Sequence, residues 1–326
     1  MKLQASYLKL SDTEFQNRID KAFQLLHNCN VCPRDCKVDR YKLNTGFCQS
    51  GLRPIVSSYT AHFGEEPVLS GINGAGNIFF GNCNMKCLYC QNFEISQNWK
   101  EEIKNEITCE KLADIMIELQ NQNCHNIGLV SPTHFSPQIL KAIYIAKQKG
   151  LQLPIIYNSN GFDSVEMLKL FDGVIDIYLP DLKYGDNLNA RKYSFTPNYF
   201  DYAKEALKEM HRQVGDKLIY DGNIVVHGLI IRHLVLPNDL SESEMVFKFI
   251  AEELNPNVHI SLMSQYFPTN KAHNFILLNR KIRYREYEKA VQLLEKYGLH
   301  NGWIQEMDSP EFYLPNFENR INPFGN

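Results

Sequence analysis

The sequence predicts an α/β fold: a parallel sheet with helical crossovers, either doubly wound or closed part-way as an open or partial (β/α) barrel. Apolar runs of strand length recur near 77–80, 127–131, 154–158, 174–179, 228–236 and 258–265. Segments with three- and four-residue apolar spacing separate them, near 109–122, 136–149, 164–171, 198–214 and 241–254. Successive strand–helix units need crossovers, and crossovers join parallel strands. A chain of 326 residues, 44% hydrophobic, suffices for one large α/β core or roughly two domains.

In chain order, Phe15, Ile19, Phe23 and Leu26 predict an amphipathic helix over 12–27 that leads into a cysteine-rich segment. Residues 28–75 read as loop-rich. The strand and helix alternation follows, and a last helix near 284–297 carries Tyr287, Ala290, Leu293, Leu294 and Tyr297 on one side, with Gly298 as its cap. The tail from Asp308, rich in Pro, Asn and Phe, is expected to pack without regular structure, with a turn at Asn322-Pro323-Phe324. The expected divisions are 1–55, a helix and metal-binding extension; 56–275, the barrel; and 276–326, a helix and packing tail.

Charge and hydropathy exclude several classes. There are 34 Lys and Arg against 37 Asp and Glu, with no long basic run, so nucleic acid is not an expected partner. The longest apolar stretch, Gly228 to Pro237, is broken by Arg232 and His233 and is too short for a membrane span. The polar Ser11-Asp12-Thr13-Glu14 near the start leaves no room for a signal peptide, so a cytoplasmic location is expected.

Seven of the nine cysteines form two groups. In a reducing compartment such groups serve metals or catalysis, not disulfides. Cys83, Cys87 and Cys90, spaced x3 and x2, can hold three irons of a 4Fe-4S cluster and leave the fourth iron open; the alternative is a zinc knuckle completed by a distant ligand. Cys29, Cys32, Cys36 and Cys48, spaced x2, x3 and x11, supply four thiolates, which suit a structural zinc or a second, auxiliary 4Fe-4S cluster equally. Cys109 and Cys124 read as buried small apolar residues.

The loop Cys83-x3-Cys87-x-Tyr89-Cys90 carries the C-x3-C-x-aromatic-C motif, and in it the chain resembles the radical SAM superfamily. The resemblance implies a partial (β/α)6 barrel with N-terminal Cys-rich and C-terminal extensions, ligands gathering at the strands' C-terminal ends. It implies that S-adenosylmethionine (SAM) chelates the open iron with Tyr89 beside the adenine. One-electron reduction then gives methionine and a 5′-deoxyadenosyl radical that abstracts a substrate hydrogen. It further implies a one-electron donor such as flavodoxin or ferredoxin.

Polar residues at the strand ends sharpen the resemblance toward the pyruvate formate-lyase activating enzymes: Asn92 after the cluster loop, Ser159-Asn160-Gly161-Phe162, Asp181-Leu182-Lys183, and Arg232 in Ile231-Arg232-His233-Leu234-Val235-Leu236-Pro237. That group's Gly-Gly-Glu segment is replaced here by Ser131-Pro132-Thr133. The cofactor-binding residues so implied are Tyr89, Asn92, Ser131, Thr133, Asn158, Asn160, Asp181, Lys183 and Arg232.

Alternatives stand beside several of these. Asp181 and Lys183 are a cofactor contact or a surface pair worth under about 1 kcal/mol. Arg232 meets a carboxylate or ribose of the cofactor, or forms an internal salt bridge. His134 and His233 are core histidines or proton-transfer groups. The N-terminal cysteines and Trp303-Ile304-Gln305-Glu306 extend the resemblance to a subgroup related to those activases. The substrate is then a glycyl-radical enzyme, a small molecule or a residue of another protein. The reading from another class is a non-catalytic iron-sulfur or zinc protein that binds a partner or carries electrons.

Overall fold

The computed structural model describes residues 4–42, 45–307, 315–317, 319–321 and 323–324; the expectations at Asp308 and Asn322 lie outside the described residues. Helix α1 (Asp12–Gln24) turns Phe15, Ile19 and Ala22 inward, and Ser11 caps it by accepting the Glu14 amide at 3.2 Å. The four-cysteine segment follows with only a short 3₁₀ turn, Arg40–Lys42. Nine strands then form: β1 (Val56–His62), β2 (Ala75–Phe80), β3 (Ile127–Val130), β4 (Ile155–Asn158), β5 (Ile177–Tyr178), β6 (Ile219–Asp221), β7 (Ile224–Leu234), β8 (His259–Met263) and β9 (Gly302–Ile304).

The sheet order is β1-β2-β3-β4-β5-β7-β8-β9. Every neighbour from β2 to β9 is parallel, while β1 pairs antiparallel with β2 and β6 forms an antiparallel hairpin with β7. The crossovers run through α2 (Cys109–Asn121), α3 (Ser136–Gln148), α4 (Val165–Leu170), α5 (Asn187–Ser194), α6 (Tyr199–Val214), α7 (Ser243–Phe249) and α8 (Tyr284–Lys296). This is the α/β fold with the mostly parallel sheet of a partial barrel. β1 and β9 stand at the two ends of the strand order, so the barrel is open on that side.

Strand alternation divides the interior in two. Ile78, Phe80, Leu129, Tyr157, Leu229 and Ile231 belong to the large apolar cluster under the helices, which also takes in Phe15 and Leu26 near the start and Tyr287 and Leu293 of α8. Their alternates Ile156, Ile177 and Ile230 form a separate cluster inside the barrel, joined by Leu69. That plug fills the lower barrel and leaves the strands' C-terminal ends for polar residues.

All six anticipated strands form, and β1, β6, β9 and α5 are additions. The reading of 28–75 as loop-rich is corrected at β1 and at the short helix Pro67–Ser70. β1 reads Val-Ser-Ser-Tyr-Thr-Ala-His, too polar to announce a strand. Its serines are buried because Ser57 donates to Glu102 and Ser58 to the Arg320 carbonyl. Among the described residues no helix is long and apolar enough to cross a membrane.

Glu286 fixes α8 to the turn after β7. Its carboxylate accepts both terminal nitrogens of Arg280, at 2.7 and 2.6 Å, and the Asn238 and Arg283 amides, each at 2.7 Å. The Arg280 hydrogen bonds outweigh partial burial and bring the carboxyl down to about 2. A carboxyl lowered on folding gives stability that is complete above its unfolded value near about 4.3 and lost as pH falls through the folded one. Glu286→Gln is expected to cost about 1–3 kcal/mol at pH 7. The cost should shrink steadily below pH 4, as read from urea midpoints.

Candidate functional site

The site starts where β2 ends. Asn82 takes a positive φ of 63°, its side-chain Nδ2 donating to the Gln49 carbonyl at 3.0 Å, and the chain turns into the cysteine loop. Each loop sulfur has a polar neighbour. The Met85 N–H reaches Cys83 Sγ at 3.3 Å, with Asn160 Nδ2 at 3.5 Å; Ser194 Oγ donates to Cys87 Sγ at 3.0 Å; and Ser96 Oγ lies 3.2 Å from Cys90 Sγ. Donors to ligating sulfurs are the usual means by which a protein tunes an iron-sulfur centre.

The three cysteines border one cavity of about 200 Å³, together with Tyr89, Asn92, Ser131, Asn158, Asn160, Asp181, Lys183 and Arg232. Leu234, Met263, Gln265 and Tyr266 also line it. Burial pushes the Cys83 thiol up to about 12 and the Cys87 thiol to about 11, and raises Cys90 as well. Such thiols stay protonated near neutral pH unless a bound cation draws the proton off. The cysteines border a shared space, as a cubane with one thiolate per iron requires. The donor set fits a 4Fe-4S cluster.

Opposite the sulfurs stands a charged wall. Lys183 Nζ lies 2.5 Å from Asp181 Oδ2, and Arg232 Nε lies 2.9 Å from Asp181 Oδ1. The same guanidinium donates to Glu65 Oε2 at 3.0 Å and to Asn158 Oδ1 at 2.7 Å. Burial opposes the charge on Asp181, but Lys183 and Arg232 outweigh it and hold the carboxyl below its usual range. Asp181 and Lys183 are thus a cavity pair, not a surface pair. Arg232 makes the internal salt bridge, doubly, while still lining the cavity.

Asn160 is committed to the chain itself: its Nδ2 donates to Asn84 Oδ1 at 2.7 Å and its Oδ1 accepts the Phe162 amide at 3.0 Å, which holds the cysteine loop in place. Gly161 makes this turn possible. It has φ of +78°, and a Cβ there would meet the Asp181 carbonyl oxygen at 2.5 Å.

The structure corrects Thr133. It lies outside the cavity wall, buried, and its hydroxyl donates to Asp163 Oδ1 at 2.7 Å. His134 and His233 are buried core histidines, His233 bonded through both ring nitrogens and His134 through Nε2 alone, its Nδ1 having no partner. His134 Nε2 lies 2.9 Å from the Gly81 carbonyl, and His233 bridges the Leu182 carbonyl and Ser243 Oγ at 2.7 and 2.9 Å. Burial lowers them to about 3 and about 4 respectively. Cys109 and Cys124 are buried away from the cavity.

The N-terminal cysteines surround a buried arginine. Arg40 is 1% exposed, donating to the His134 carbonyl at 2.8 Å and to Cys48 Sγ at 3.5 Å, while its Nε has no partner. Burial disfavours its charge, and Cys48, Cys29 and Cys32 supply the opposing field. Arg34 joins the two cysteine groups. Its Nε donates to the Asn84 carbonyl at 2.8 Å, and its guanidinium lies 3.6 Å from the Phe47 ring centre. Glu65, Ser96, Ser194, Arg34 and Arg40 escaped the sequence reading; only the two arginines carried a signal, as basic residues set among cysteines.

Comparison with known proteins follows the same lines. A model of the radical SAM superfamily matches residues 77–236. The uncharacterized protein MJ0674 of Methanocaldococcus jannaschii is 35% identical over 294 residues, covering 86% of this chain and 78% of the relative. Protein MJ0808 of the same organism is 29% identical over 161 residues, 43% of this chain and 45% of its own. Among solved structures, TYW1 with a lysine-pyruvate adduct bound is 15% identical with a TM-score of 0.45, covering 72% of this chain and 78% of that one. HydG, a maturase of the [FeFe]-hydrogenase, is 12% identical with a TM-score of 0.44, covering 91% and 63%.

Removing the guanidinium at 232 leaves Glu65 and Asp181 buried with Lys183 as the nearest cation. Arg232→Met is expected to cost about 3–5 kcal/mol at pH 7. Asp181, no longer held low by the guanidinium, then rises and takes up a proton in the folded state, so the cost should be smaller at pH 5. Arg232→Lys, which keeps the charge without the three-way fork, should fall between. Urea unfolding at both pH values measures all three.

Proposed function

The chain belongs to the radical SAM superfamily, whose members are enzymes that use a 4Fe-4S cluster and SAM, and on that footing we propose that it cleaves SAM reductively to abstract hydrogen from a substrate held beside the same cavity. The observation that carries this reading is the one cavity that Cys83, Cys87 and Cys90 border together with Asn158, Asp181, Lys183 and Arg232. When bound, the cluster and SAM together supply one-electron cleavage of a sulfonium carbon–sulfur bond and, through it, removal of one substrate hydrogen.

The residues have distinct parts. Cys83, Cys87 and Cys90 hold three irons. Asp181 and Lys183 oppose the ammonium and carboxylate of the SAM methionine, and Tyr89, Asn92, Ser131 and Asn158 line the remainder of the SAM site. Arg232 acts as a positioning residue through Asp181, and Asn160 acts through Asn84 and Cys83. A one-electron donor of the flavodoxin or ferredoxin kind is required. A glycyl-radical protein is one substrate this chemistry admits, as is a small molecule.

A second metal is proposed at Cys29, Cys32, Cys36 and Cys48, as zinc or an auxiliary 4Fe-4S cluster. The buried Arg40 supports it. A guanidinium among cysteine sulfurs is stable only when those sulfurs carry negative charge, and metal ligation secures that charge.

Replacing Cys83, Cys87 or Cys90 by Ala is expected to remove about four irons per chain and all 5′-deoxyadenosine formation on reduction with SAM. Cleavage that survives any of these changes would overturn the mechanism. Replacing Cys29, Cys32, Cys36 or Cys48 should remove a different metal and leave the first cluster in place. Metal analysis of the anaerobically reconstituted protein then reads about four irons with one zinc, or about eight irons. Joint loss of both metals from one substitution would contradict independent sites.

A further inference from the structure

The open side of the barrel holds a second chamber, of about 260 Å³, between the Glu65–Glu66 turn, β8 and β9. Arg232, Met263 and Gln265 line both it and the cysteine cavity, so the two adjoin. Its volume is that of roughly nine waters, enough for a small side chain or metabolite.

Two of the chamber's polar side chains are bonded within the structure. Glu65 gives one oxygen to Asn77 at 2.7 Å and the other to Arg232 at 3.0 Å. Gln305 donates to Gln265 Oε1 at 3.1 Å and accepts the Ser264 amide at 2.9 Å. Glu66 differs: only 8% exposed and with Ser261 beside its carboxyl, it has an oxygen, Oε2, with no hydrogen-bond partner. An unmatched buried carboxyl is costly and is relieved by a donor, best of all a charged one. Burial pushes the Glu66 carboxyl up, Arg232 opposing and Glu65 adding to the rise, so a cation arriving there is drawn in by both acids. An anion would meet two carboxylates, with the guanidinium already engaged. Trp303 adds an indole face to the same wall, a surface that also favours cations.

We propose that this chamber is the substrate pocket of the adjoining site and that it takes a positively charged amine, the ammonium donating to Glu66 Oε2 and its carbon chain lying between Trp303 and Met263. The inference rests on the radical reading above and adds the substrate class. Neither acid belongs to the cysteine motifs, and adjacent Glu residues in a turn read in sequence as a solvated pair.

The test uses the metal-loaded full chain and three probes of equal length: n-pentylammonium, n-pentanol and pentanoate. The chain has two tryptophans, so 5-fluorotryptophan labelling gives two fluorine signals, assigned by Trp99→Phe. Pentylammonium is expected to shift the Trp303 signal, leave that of Trp99 in place, and bind at least tenfold more tightly than the alcohol or the carboxylate. Glu66→Gln should abolish that preference. Equal binding of the neutral or anionic probe, or no shift at Trp303, would overturn the proposal whether or not Glu66→Gln folds. SAM cleavage by the unmodified protein is measured separately. Its absence ends the radical reading and the pocket's part in it, whereas cleavage without an ammonium preference ends the chamber proposal alone.

Discussion

The guanidinium of Arg232 is the contact on which the upper barrel depends. It sits near the C-terminal end of β7, largely covered, and reaches Asp181 after β5, Asn158 at the end of β4 and Glu65 in the turn between β1 and β2. A buried arginine without such partners would be untenable, and each partner is a strand end that needs fixing. Strand order and charge pairing therefore enforce one another. The backbone bridge between Asp181 and Arg232 adds to this, since Leu182 N donates to the Arg232 carbonyl and Arg232 N to that of Pro180. The wall facing the cysteines is rigid because its charges cannot separate without leaving one of them unpaired.

Sequence pattern reveals most of this fold because parallel strands buried on both faces are nearly continuous apolar runs. β3, β4 and the upper half of β7 are of that kind. β1 and β9 are not: each stands at an end of the sheet, β1 carries buried serines bonded to distant groups, and β9 is three residues long. The same division holds within the site. Cys83, Cys87 and Cys90 were legible because a metal imposes spacing on a short loop, and Asp181, Lys183 and Arg232 because charges interrupt apolar strands. Thr133 misled because a polar residue after a strand has two destinations, the cavity or a neighbouring buried acid, and Asp163 is four residues from Ser159 on a turn no periodicity describes. Glu65 and Glu66 left no trace, since their importance comes from how β1 folds back along β2.

Both cysteine groups have an arginine against them, and the two arginines differ in consequence. Arg40 is enclosed among the N-terminal cysteines and bonds outward to the His134 carbonyl. Arg34 faces Cys32 and Cys36 on one side and Cys83 and Cys87 on the other. Its hydrogen bond to the Asn84 carbonyl meets the same asparagine whose side chain is held by Asn160. One short chain of contacts thus runs from the N-terminal extension through Arg34 and Asn84 to Asn160 and Cys83.

That chain constrains what the extension can be for. Arg34 ties residues 28–48 to the loop of the second cysteine group through its hydrogen bond to the Asn84 carbonyl, while its contact with the Phe47 ring stays within the segment, so the extension packs against the barrel's site as well as closing on itself. The chamber beside Glu66 lies across the cavity from it, on the open edge between β1 and β9, where a substrate can approach without disturbing either group of cysteines.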